Sequence, residues 1–121
     1  MNKIANKKQY DLEDRTFEFA KKCRDFVRTL PKTISNIEYG KQLARSSGSQ
    51  ASNYIEANES LSKKDFVHRI KICRKEAKES RLWLRLCEES GELVQEASEL
   101  TKIFNSIINK SQVSSTKSQK F

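Results

Sequence analysis

Proline occurs once and glycine three times in the 121 residues. A sheet of several strands needs turn residues at each reversal, so this scarcity argues for an all-α chain. The three cysteines, Cys23, Cys73 and Cys87, form an odd set without CxxC spacing. They fit a reducing cytosol and not a disulfide scaffold. There is one histidine, His68. A di-iron bundle uses Glu-x-x-His on two helices, and no Glu stands three residues before His68. No apolar run approaches a membrane span, no signal peptide opens the sequence, and no glycine-rich phosphate loop is present. The expectation is a cytoplasmic protein that is not an enzyme, takes no cofactor or metal and does not enter a membrane.

What is abundant is positive charge and helix formers. The net charge is +8. Residues 61–90 hold nine Lys/Arg against five Asp/Glu, whereas 91–108 is acidic by two. A basic excess suits a polyanion or an acidic partner, and it also serves solubility. One domain is the natural division at this length.

Four helical segments can be read. The first spans Leu12 to Leu30, capped by Asp11 and closed by Pro31, with Phe19, Cys23, Phe26 and Leu30 inward beside Phe17, Ala20 and Val27. The second covers roughly Ser35 to Glu59. The third starts at Ser62, where Ser62-Lys63-Lys64-Asp65 resembles a capping box, and Gly91 ends it. Its stripe is the clearest in the chain: Phe66, Ile70, Cys73, Ala77, Ser80, Leu84 and Cys87. The fourth runs from Glu92 to Ile108 through Val94, Ala97, Leu100, Phe104 and Ile107. Residues 1–10 read as a flexible N-terminus, 11–108 as an antiparallel up-and-down four-helix bundle, and 109–121 as a disordered basic tail.

The segment from Arg45 to Asn53 is poor in helix formers and has the composition of a serine-rich linker. Periodicity supports a continuous helix instead. Ile37, Ala44, Ala51, Ile55 and Asn58 share one face, and Gln42, Arg45, Ser49, Asn53 and Glu56 share the opposite one. Small residues at Ala44, Ser47, Gly48 and Ala51 would let a neighbouring helix approach. The polar stripe is either a solvated face or a hydrogen-bonded seam against another helix or another subunit. Arg45 and Glu56 lie about 16 Å apart along the helix and cannot pair within it.

On the third helix Lys71, Arg74, Lys78, Arg81 and Arg85 repeat at steps of three and four. They make a basic ridge about 21 Å long, roughly 115° around from the apolar seam. Uninterrupted cations of this kind suit nucleic-acid phosphates, although an ordinary solvated face has the same pattern. Glu76, Glu79 and Trp83 lie on the other flank. Trp83 reads as core or interface, and the absence of an aromatic array argues against single-strand stacking. Glu56, Glu76 and Glu79 could together hold a hard cation; pairing of Glu76 and Glu79 with arginines such as Arg45 is the simpler reading.

The run Gln42-Leu43-Ala44-Arg45-Ser46-Ser47, followed by Ser49, Asn53 and Glu56, resembles the motif of proteins encoded in intervening sequences of bacterial 23S ribosomal RNA genes. The likeness continues through Ser62, Asp65-Phe66, Lys75-Glu76-Ala77, Glu79-Ser80 and Trp83-Leu84. Gln50 departs from it where an apolar residue is usual, and Ala57 where glycine is frequent. The resemblance implies an up-and-down bundle assembled into a homo-oligomer, a pentameric ring being its expected form. It also implies similarity to the accessory protein of diversity-generating retroelements, which binds nucleic acid and a reverse transcriptase. The expected function is non-catalytic binding of RNA or DNA backbone, with a protein partner also conceivable. An oligomeric interaction scaffold without a nucleic-acid ligand is the alternative.

Overall fold

Each helix begins where a side-chain oxygen can accept from an otherwise unpaired backbone N–H. In the computed structural model, which describes residues 11–89 and 91–119 (113–119 as backbone alone), Asp11 caps α1, Leu12–Thr29, by accepting from Glu13 N at 2.9 Å. Thr33 caps α2, Ile34–Asn58, through Asn36 N at 3.1 Å. Ser62 caps α3, Lys63–Leu86, through Asp65 N at 3.1 Å. The Glu89 carboxylate accepts from Leu93 N and Val94 N at the start of α4, Glu92–Gln119, at 3.3 and 3.1 Å. The described residues form four helices and no strand.

Two boundaries differ from the sequence reading. Helix α3 stops before Gly91, because Glu88 takes a left-handed φ of 65°. The Glu88 N–H then bonds the Arg85 carbonyl and the Glu89 N–H bonds the Leu84 carbonyl, both at 2.9 Å. This pair of bonds closes a Schellman motif with glutamate where glycine is usual. Helix α4 continues to Gln119, so 109–119 is helical backbone where a disordered tail was expected. No proline or glycine follows Gly91 to stop it. The expected flexible segment 1–10, like residues 120–121, lies outside the described residues.

All four helices contribute to one core, centred on Phe19, Leu43, Ile70, Leu84, Leu100 and Phe104. Each helix touches two others: α1 with α2 and α4, and α3 with α2 and α4. The α3 stripe lies inward as its spacing predicts, from Phe66 at its partly buried end to Cys87. On α1, Phe19 and Cys23 are buried, but Phe17 is 58% exposed and is not a core residue.

Helix α2 turns a different face inward from the one its apolar spacing suggested. Ile37 and Ile55 are 44% and 46% exposed, and Ala44 and Asn58 are exposed. The buried set is Gly40, Leu43, Ser46, Ser47, Gln50 and Ala57. Close approach explains the choice, together with hydrogen bonds to the buried polar groups of α2, of which only Gln50 Oε1 lacks a partner among the described residues. A Cβ on Gly40 would meet Val27 Cγ1 at 3.0 Å, so α1 and α2 nearly touch there. Ser46 and Ser80 hydroxyls share a hydrogen bond at 2.8 Å, and Ser80 also donates to the Glu76 carbonyl at 2.9 Å. Fully buried Gln50 donates through Nε2 to the Thr16 and Ser47 carbonyls at 2.8 and 3.0 Å. Gly48, by contrast, has nothing within 4 Å of an added Cβ, so no helix closes on it.

Candidate functional site

The polar stripe of α2 meets α3 within the same chain. Arg45 forks onto Glu76, its Nη1 and Nη2 donating to the two carboxylate oxygens at 3.1 and 3.4 Å, and Nη2 also reaches Glu79 at 3.1 Å. Gln42 Oε1 accepts from Arg45 Nε at 3.3 Å, and Ser49 Oγ donates to Glu76 at 3.0 Å. Asn53 Nδ2 donates to Ser49 Oγ at 3.1 Å while its Oδ1 accepts from Arg69 Nη1 at 3.0 Å. Of the seven residues expected in the stripe and its partners, six therefore join one network. Glu56 does not: it is exposed and lies with Glu59, Asp65 and His68 around an open pocket at the α2–α3 turn. Arg69 was missed by the sequence reading, although its place seven residues before Glu76 puts it on the same flank of α3.

Burial alone would raise the Glu76 pKa. Hydrogen bonds from Arg45 and Ser49 outweigh that, and the carboxyl sits below its ordinary value. The same contacts raise the Arg45 pKa, chiefly through the Glu76 hydrogen bond. Trp83, on the same flank, stacks on Tyr39 with ring centroids 5.9 Å apart, so it packs within the seam. Its indole N–H is buried with no acceptor among the described residues.

The basic ridge lies on the other side of α3. Lys71, Lys78, Arg81 and Arg85 are exposed, and Arg74 is half-buried, donating to Asn105 Oδ1 of α4 at 2.7 Å. None of the five forms an ion pair among the described residues. The Asn105 contact had no counterpart in the sequence reading, because it depends on the register of α4 against α3.

The three thiols are buried. Burial pushes Cys23 and Cys73 up to about 12, with Ser47 partly offsetting the shift at Cys23, and it raises Cys87 as well. Such groups hold their protons and are poor nucleophiles.

A family model described as 23S rRNA-intervening sequence protein matches residues 8–112. The chain belongs to that family. The matched span includes both the α2–α3 seam and the α3 ridge. A solved structure, described as a protein with unknown function from the S23 ribosomal protein family from Bacteroides thetaiotaomicron, is similar at 28% identity. The likeness covers 81% of this chain and 98% of that one, with a TM-score of 0.72. No curated protein matches the chain. No helix among the described residues is long and apolar enough to cross a membrane.

Proposed function

We propose that this protein binds nucleic acid through phosphate contacts on the α3 ridge and performs no catalysis. The observation that carries the reading is the separation of charge on α3. Its acids Glu76 and Glu79 are engaged by Arg45 of α2, while five cations on the far flank remain without a carboxylate partner among the described residues. Cations left unpaired along about 21 Å of rigid helix can each displace a counterion from a phosphate backbone. Such contacts hold any sequence equally, because phosphates carry no base information. RNA and DNA are both admitted, and the setting proposed is the cytoplasm.

The test changes Lys71, Lys78 and Arg85 to Gln and follows binding to RNA and DNA across a salt series. Each phosphate that is no longer neutralised should lower the slope of log affinity against log salt by about 0.9 on a DNA duplex. Unchanged affinity and slope would return the ridge to an ordinary solvated face.

A second reading, an oligomeric interaction scaffold, is favoured by a different surface. Ile34 is 87% exposed on α2 and shares that helix with half-exposed Ile37 and Ile55, around exposed Ala44 and Gly48. The one charge beside the stripe formed by Ile37, Ala44, Gly48 and Ile55 is Lys41, which pairs with Glu38 at 3.7 Å, so a largely apolar surface of a second copy suits it better than a strongly charged partner. A homo-oligomer, with the pentamer implied by the family resemblance, is compatible with nucleic-acid binding on the opposite side. The bundle is read as antiparallel and up-and-down. In support, Gly40 lies against Val27 while Gln50, further along α2, reaches back to Thr16.

A further inference from the structure

Helix α4 also sorts its charges. Glu96 and Glu99 are held by Arg15 of α1 at 2.7 and 2.9 Å, and Glu92 by Lys22 of α1 at 3.3 Å. The α1 side of α4 is therefore acidic and occupied. Asn105 marks the other side, because its Oδ1 accepts from Arg74 on the ridge. Ser98, Lys102 and Asn109 stand seven before, three before and four after Asn105, which places them on the same flank of the helix. No acid occurs among them. Thus α3 directs Glu76 and Glu79 to α2, α4 directs its described acids to α1, and among the described residues the surface these two helices share carries cations and neutral polar groups beside half-exposed Leu82, with no acid.

We infer that this shared α3–α4 surface is a two-row docking face for the backbone of a nucleic-acid duplex, with Asn105 as a positioning residue for Arg74. The inference rests on the phosphate-binding reading of the ridge and extends it to a second helix and one ligand form. Packed helices lie about 8–10 Å apart, so donors on α3 and α4 form two parallel rows at fixed separation. A duplex presents two phosphate backbones on either side of a groove, a minor groove of B-DNA being about 6 Å wide. A flexible single strand gains most where aromatic rings stack its bases. This face offers none: Trp83 stacks on Tyr39, Phe104 is fully buried, and Phe66 packs against the core.

Asn105 gives the face a defined geometry at Arg74. A neutral carbonyl oxygen at 2.7 Å holds the guanidinium without cancelling its charge. Asn105→Asp would set a carboxylate at the same place and neutralise it.

Fluorescence anisotropy tests the inference on the full chain, with probes of about 20 base pairs of DNA duplex, the same duplex as RNA, and the single DNA strand, each across a potassium chloride series. Duplex should bind more tightly than the single strand at every salt concentration. Asn105→Asp and Lys102→Gln should each weaken duplex binding and each reduce the salt slope by about 0.9 on DNA. Ser52→Asp, an equal charge change to Asn105→Asp on exposed α2, should leave the slope unaltered, and thermal melts should confirm that every variant is folded. If the Lys71, Lys78 and Arg85 variant loses binding while Asn105→Asp and Lys102→Gln bind like the parent, the second row is refuted and the ridge stands. Tighter binding of the single strand overturns the duplex assignment. If none of these changes affects binding, both readings fall together.

Discussion

Moving a carboxylate out of water raises its free energy, yet the Glu76 side chain is only 8% exposed and remains ionised by preference. Arg45 and Ser49 make that possible. Arg45→Ala should leave Glu76 with one remaining side-chain donor. Arg45 is itself 50% exposed, so water screens the pair and can refill the gap. The loss should be about 1–2 kcal/mol, below that of a fully buried ion pair, and urea melts would measure it. Because the folded pKa of Glu76 lies below the ordinary 4.5, its contribution is complete above that pH and is lost as pH falls through the folded value. The variant and parent stabilities should therefore converge in acid; a difference that persists or widens there would contradict the pairing. The thiols make a second residue-scale prediction. At pH 8 a thiol with a pKa near 12 is thiolate in roughly one part in ten thousand. A thiol reagent should attack Cys23 and Cys73 at the pace of unfolding and Cys87 first, and all three quickly in denaturant.

Helices α2 and α3 show how much of the fold can be read from spacing. On α3 every apolar residue of the stripe lies inward, since Cys73, Ala77 and Leu84 alternate with charges that have no alternative but solvent or a partner. On α2 the same rule chose Ile37 and Ile55, and the structure buries Ser46, Ser47 and Gln50 instead. Periodicity weighs side chains by polarity and does not register that a serine can be satisfied by Ser80 across the core, or that the Gln50 amide nitrogen can donate to a carbonyl of α1 while its Oε1 is left without a partner among the described residues. The polar seam was visible as a stripe, but the choice between solvent and α3 needed the register that sets Arg45 against Glu76. The glycines test this account. Gly48→Ala adds a methyl into open space and removes a flexible residue from a helix interior, so it should stabilise the chain by about 0.5–1 kcal/mol. Gly40→Ala should not show that gain, because its methyl meets Val27 at 3.0 Å. Equal responses at the two positions would show that α1 and α2 are not in close contact.

At the scale of the whole molecule, the unpaired cations and the exposed isoleucines lie on different helices, although Leu82 and Leu86 are half-exposed beside the ridge. The cations collect on α3 toward α4, while the exposed isoleucines lie on α2. A chain with net charge +8 repels its own copies at low salt, so self-association needs a surface where the charge is thin. The α2 stripe, where Lys41 is offset by Glu38, is such a surface. Light scattering on tag-free protein at micromolar concentration should give a mass several times 14.0 kDa, a pentamer being the expected multiple. Ile37→Glu together with Ile55→Glu should shift it toward the monomer, through like-charge repulsion and removal of apolar area. Neither residue belongs to the core, so helical content should be retained. Adding salt should strengthen assembly of the parent by screening repulsion, and it should weaken duplex binding by the counterion effect. The two responses of opposite sign separate the surfaces in one experiment. A parent that stays monomeric across tenfold dilution, in high salt as in low, would remove self-assembly from the account, leaving a single bundle whose ridge acts alone.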